Sequence, residues 1–120
     1  DEFAEQCFHS AEKKGFWKSE LDEFASEGGL PASATDTYTN LKKSEKLMLI
    51  VSELGEALEG IRKPAPDAHR PDFTSEEIEM ADALIRIFDY AGGFKLRLGA
   101  AYEAKRAYNE GRPFKHGKAF

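Results

Sequence analysis

Between about Leu41 and Arg62 the apolar residues Leu47, Ile50, Val51, Leu54, Leu58 and Ile61 recur at steps of three and four. That period fits one face of an α-helix and no strand, so the segment predicts a long amphipathic helix whose stripe must find cover. Lys63-Pro64-Ala65-Pro66 ends it, because proline lacks the N–H donor and pushes the residue before it out of the helical region. Pro64 to Phe73 then reads as a linker. Ser75 is placed to cap a further helix with Glu76, Glu77 and Glu79 in its first turn, where the helix dipole favours anions. Its expected core face is Ile78, Ala81, Leu84, Ile85 and Phe88, and Gly92-Gly93 breaks it.

The flanks read the same way. Phe3, Cys7, Phe8 and Ala11 give a short helix from Glu2 to about Lys14, stopped by Gly15, and a brief helical stretch follows from Glu20 to Ser26. Glu27 to Ser33 is rich in turn formers and is expected to be a loop. A last helix should run from about Leu98 to Asn109, stopped by Gly111 and Pro113. No stretch has strand character. The expectation is an all-α, single-domain bundle of four main helices spanning residues 1–120. Leu49 and Ile87 lie off the main stripes of their helices, giving each a second apolar edge that a two-fold mate would bury, so a homodimer or homotetramer is expected.

Composition narrows the function. A net charge of -5 and a pI near 5.3 leave no general basic footprint, which argues against a protein built mainly to grip a nucleic-acid backbone. Cys7 is the sole cysteine, so neither an intrachain disulfide nor Cys/His zinc spacing is available, and a reducing, cytoplasmic setting is expected. No apolar run approaches the roughly 20 residues needed to span a bilayer, and the first residues lack the pattern of a signal peptide.

The informative residues are acids. Glu53 and Glu56 stand three apart on the long helix and project about 60° from each other. Glu79 and Asp82 repeat the spacing on the next helix, with Asp89 two turns beyond Asp82 on nearly the same face. Antiparallel packing of the two helices would bring four carboxylates together, and such a group repels itself unless hard divalent cations neutralise it. Magnesium suits an all-oxygen set, keeps several waters and takes phosphate oxygens as further ligands. Spacing alone fits solvated acids on helix faces equally well. A di-iron bundle would want Glu-x-x-His pairs, and none of His9, His69 and His116 has a glutamate three residues before it.

Lys105, Asn109 and Arg112 follow at steps of four and three, so a helix extended by one turn would align them as a polyphosphate clamp. Cations decorating a helix C-terminus for dipole reasons give the same pattern. Trp17, after Lys14-Gly15-Phe16, has two readings: stacking on a nucleobase, or packing in the core, which is the commoner fate of tryptophan.

Taken together, Ser52-Glu53-Leu54-Gly55-Glu56-Ala57-Leu58-Glu59, Glu76-Glu77-Ile78-Glu79-Met80-Ala81-Asp82 and the series from Lys105 to Arg112 resemble the MazG-like family of all-α nucleoside triphosphate pyrophosphohydrolases. His9 to Trp17 and the ending Tyr108 to Lys118 are similar to a small, single-domain branch of that family, often from phage or mobile elements. The resemblance covers about nine-tenths of the chain. It implies a Mg²⁺-dependent hydrolase, with Mn²⁺ as a substitute, that cleaves a (d)NTP to the monophosphate and pyrophosphate. It further implies that Glu53, Glu56, Glu79 and Asp82 hold the metal, with Glu53 and Glu56 as catalytic acids, and that Trp17, Lys105, Asn109 and Arg112 contact substrate. It also implies that pockets are completed across a subunit interface. The chain departs from the family's compact pattern between Glu27 and Asn40. Rival readings are a pyrophosphohydrolase of another nucleotide metabolite and a non-enzymatic helical interaction module.

Overall fold

The computed structural model describes residues 1–114, apart from the side chains of Glu20, Leu21 and Ala25, so His116 lies outside the described residues. Within them the chain is all-helical, with α1 (Glu2–Lys13), α2 (Glu20–Ser26), α3 (Ala32–Arg62), α4 (Ser75–Gly93) and α5 (Leu98–Glu110). No helix among the described residues is long and apolar enough to cross a membrane. The main packing is α3 against α4 and α1 against α4.

Two boundaries differ from those expected. The long helix begins at Ala32, not near Leu41, with the extended Pro31 in front of it. Its first turns are rich in Ser, Thr and Asp, weak helix formers on their own. They are held from outside: the Asp22 carboxylate on α2 accepts hydrogen bonds from Tyr38 and Lys42 of α3. Asp22 also accepts from the Ser19 backbone N–H at 2.9 Å while its own N–H donates to Ser19 Oγ at 3.1 Å, a reciprocal cap that starts α2. The second difference is the cap of α4. Thr74, not Ser75, takes that position, because Glu77 stands three residues after it and closes a full capping box.

The clasp at Asp22 has a pH signature. Burial alone would raise the carboxyl pKa, but hydrogen bonds from Lys42, Tyr38 and Ser19 outweigh it and hold the group down at about 2, while the same contact pushes Tyr38 up to about 12. A depressed folded pKa stabilises above the unfolded value and is lost as pH falls through the folded one. The α2–α3 contact should therefore hold at pH 5 and release between about pH 4 and pH 2. Amide exchange at residues 32–40, followed down that range, should show the first turns of α3 opening there. Asp22→Asn should show them open already at pH 6.

The larger correction concerns which face of α3 points inward. Gly60 meets the backbone of Glu76, Glu53 meets Arg86 and Lys46 meets Asp89, so α3 and α4 run antiparallel along a line of polar and small residues. Ala57 and Ala83 are buried in that seam. Of the expected core stripe only Ile50 is half-buried, and the rest faces away: Leu47 is 47%, Val51 53%, Leu54 46%, Leu58 57% and Ile61 55% exposed. On α4, Leu84 and Ile85 are likewise exposed, as is Ala81, whereas Ile78, Ile87 and Phe88 are half-buried. Leu49, expected on an outer edge, instead borders the space between α1, α3 and α4. The periodicity is a sound guide to helix formation, but apolarity alone does not say which face of α3 the rest of the chain covers.

The α1–α4 contact is tight. Gly92 is buried, and a side chain there would run into the Ala4 carbonyl and Phe8. Beside it the rings of Phe8, Trp17, Phe94 and Tyr90 form a chain, edge-on for Phe8–Trp17 and Trp17–Phe94, with centroids 5.2 Å and 5.4 Å apart, and tilted for Phe94–Tyr90. α5 is tied to the rest through Asp1, whose carboxylate accepts from the Gly99 N–H at 2.8 Å near the start of that helix.

Candidate metal and anion site

Antiparallel packing of α3 and α4 brings Glu53 against Glu79 and Asp82. One carboxylate oxygen from each lies within 4.8 Å of the others, and all three residues are half-buried. Glu79 and Asp82 reach the same point because three residues advance a helix by nearly one turn. Both carboxyls are raised above the ordinary range. For Glu79 burial is the main cause, followed by the adjacent Glu53, then Asp82 and Glu56; for Asp82 burial again leads, then Glu53, partly offset by Arg86. An all-carboxylate set of this span suits a hard divalent cation such as Mg²⁺, so the residues fit the expected metal.

Glu56, expected as a fourth member, is exposed and outside this group, although its charge bears on Glu79. It lies about 60° around α3 from Glu53, and the rotation of α3 about its own axis leaves it on the solvent side.

The carboxylates stand at one side of a cavity of about 490 Å³ between α1, α3 and α4. Glu53, Asp82, Arg86 and Asp89 line its polar wall, and Cys7, Ala11, Phe16, Leu49 and Ile85 give an apolar one. Burial, then the neighbouring Asp89, pushes the Cys7 thiol up, which keeps it neutral. Trp17 is half-buried beside this cavity's Asp89 and Lys46. Its ring sits in the aromatic chain with the Lys46 ammonium 3.7 Å from its centroid, and its indole N–H donates to Asp89 at 2.7 Å. Asp89 is raised by burial despite that hydrogen bond and Lys46, and Lys46 is lowered chiefly by burial.

The C-terminal series lies elsewhere. Lys105 and Asn109 share a shallow groove on α5, which stops at Glu110, and the extra turn is not helical. Lys105 and Arg112 still converge, since both place their charge over the Tyr108 ring, at 4.8 Å and 5.6 Å from its centroid. No α5 residue borders the cavity with the carboxylates. Sequence reasoning missed Arg86 and Lys46. The signal for Arg86 was a lone cation on the stripe Glu79, Asp82, Arg86, Asp89, spaced three, four and three along one face of α4. Compared with known proteins, the chain matches no family model, no curated protein and no solved structure.

Proposed function

We propose that the chain is a divalent-metal-dependent pyrophosphohydrolase of nucleoside triphosphates, working as a homo-oligomer. The observation that carries this reading is the convergence of Glu53, Glu79 and Asp82 beside a cavity with one polar and one apolar wall. A metal held by carboxylates neutralises them, binds phosphate oxygens and lowers the pKa of an attacking water. Glu53, Glu79 and Asp82 would supply its protein oxygens. Water adds across the α–β phosphoanhydride, so the monophosphate and pyrophosphate separate and one proton is released. Glu53 is the preferred acceptor of that proton, because it borders the cavity and faces Glu79 and Asp82 from the opposite helix, leaving one of its two oxygens for the water.

The cavity volume lies within the usual range for small-ligand sites, and its apolar wall of Phe16, Leu49 and Ile85 suits the flat face of a base better than a second charged group. The deciding experiment incubates the protein with Mg²⁺ and a panel of common and modified (d)NTPs, alongside phosphoribosyl nucleotides, and scores pyrophosphate against orthophosphate. Pyrophosphate from at least one (d)NTP, abolished by chelator, is expected. Release only from the phosphoribosyl nucleotides would move the activity to that class. No release from any substrate, with no Mg²⁺ effect on thermal stability, would leave a helical interaction module.

A further inference from the structure

The carboxylate group is not alone in the metal-free fold. Arg86 Nε donates to Glu53 Oε1 at 2.6 Å, and the Glu53 side chain is only 14% exposed whereas that of Arg86 is 42% exposed. Arg86 stands one turn beyond Asp82 on the same face of α4, and its charge also offsets the upward shifts of Asp82 and Asp89. It occupies the position of a built-in counter-ion. The guanidinium has five N–H donors, and here only Nε is engaged; its two Nη groups donate to no oxygen among the described residues, although the side chain borders the cavity. Lys46, the neighbouring cation on α3, is committed to the Trp17 face at 3.7 Å and to Asp89 at 3.9 Å.

Glu53 is thus shared between Arg86 and the carboxylate set that fits a divalent cation. Both cations cannot hold it equally, because each repels the other at this distance in a half-buried site. We propose that Arg86 is a displaceable counter-ion: a divalent cation takes Glu53 from it, and the freed guanidinium fork then binds an anionic phosphate oxygen of the substrate in the same cavity. This rests on the metal and polyphosphate reading above and adds a residue to it. The exchange couples the two ligands, since metal binding creates the phosphate contact. It also lowers the cost of keeping three acids together when no metal is bound.

The proposal gives opposite signs for two affinities, which loss of a merely structural side chain would not. Mn²⁺ alone is titrated into metal-free protein, following the free aquo ion by electron paramagnetic resonance. Inorganic tripolyphosphate is then titrated by calorimetry at saturating Mn²⁺. Arg86→Gln should bind Mn²⁺ roughly 3- to 30-fold more tightly than the wild type, because a competing positive charge is gone. It should bind tripolyphosphate at least about tenfold more weakly, because the fork is gone. Arg86→Lys keeps the charge, so its Mn²⁺ affinity should stay within about threefold of wild type while tripolyphosphate binding still weakens. If Arg86→Gln does not fold, Arg86→Lys alone carries the test, and wild-type tripolyphosphate affinity in it overturns the proposal. Equal or weaker Mn²⁺ binding by a folded Arg86→Gln overturns it as well, with the metal reading intact. A wild type that takes up no Mn²⁺ removes the metal reading itself, and Arg86's role with it.

Discussion

Asp82→Asn should lower pyrophosphate release by at least about 100-fold at ordinary Mg²⁺ while leaving the metal-free fold as stable as the wild type or more so. The two effects have one cause. Asp82 is half-buried beside Glu53 and Glu79, and burial followed by Glu53 raises its pKa despite Arg86, so its charged form costs the fold free energy that a bound cation would return. Asparagine keeps the shape and removes the charge, which relieves the apoprotein and starves the site of a ligand. A raised folded pKa also fixes the sign of the pH dependence. The folded state binds the proton more tightly, so stability contributed by Glu79 and Asp82 grows as pH falls from neutral through their folded pKa values and levels off below the unfolded ones. That rise should shrink in Asp82→Asn and vanish with saturating Mg²⁺. Steady-state kinetics with thermal melts in chelator, at pH 5 and pH 7.5, test both halves. Wild-type turnover in Asp82→Asn would take this residue out of the site.

How much of this was legible in the sequence depends on the range of the interactions involved. Helix α2 follows from local signals and appears at Glu20–Ser26 as expected, as do α1, α4 and α5 to within a residue or two. The start of α3 was missed because its first turns are held by Asp22 from another helix, and no local propensity shows that. Pro31 was a usable sign, since proline is favoured at helix starts. At the site, Glu79 and Asp82 on α4 meet Glu53 on α3 because the two helices pack antiparallel, the arrangement under which the spacing of the acids would bring them together. Glu56 was drawn into the set by spacing, and only the rotation of α3 about its axis, a tertiary quantity, turns it outward. Arg86 was passed over because a search for ligands looks for acids and ignores the cation standing among them.

The outward apolar stripe leads to the largest structural effect. A compact chain of this mass would expose roughly 6,500 Å². This one exposes 9347 Å², an excess of roughly 2,900 Å², and its radius of gyration is 18.1 Å against about 14 Å for a compact chain of its length. Among the described residues no large side chain is fully buried, and the buried apolar residues are Ala4, Ala57, Ala83 and Ala91. Meanwhile Leu47, Val51, Leu54, Leu58 and Ile61 are spaced four, three, four and three along the outer face of α3, the a/d pattern by which one helix packs against another, and Met80 and Leu84 extend the apolar surface onto α4. Removed from both chains of a dimer, an excess of this size comes to roughly 5,800 Å², at the large end of obligate interfaces. Light scattering at micromolar concentration should therefore give two or four times 13.4 kDa, and the melting temperature should rise with protein concentration. Leu58→Asp places a charge within the stripe and should yield a chain that is monomeric, poorly folded and inactive. Assembly also offers α5 a route to the carboxylates, because Lys105, Asn109 and Arg112 do not border the cavity of their own chain. If the mate supplies them, mixing Asp82→Asn with Arg112→Ala under conditions that exchange subunits should restore about a quarter of wild-type activity, since half the dimers are mixed and each holds one intact site. No recovery on mixing, with exchange verified by mass, would confine each site to one chain. A folded, active species at 13.4 kDa would remove the assembly altogether.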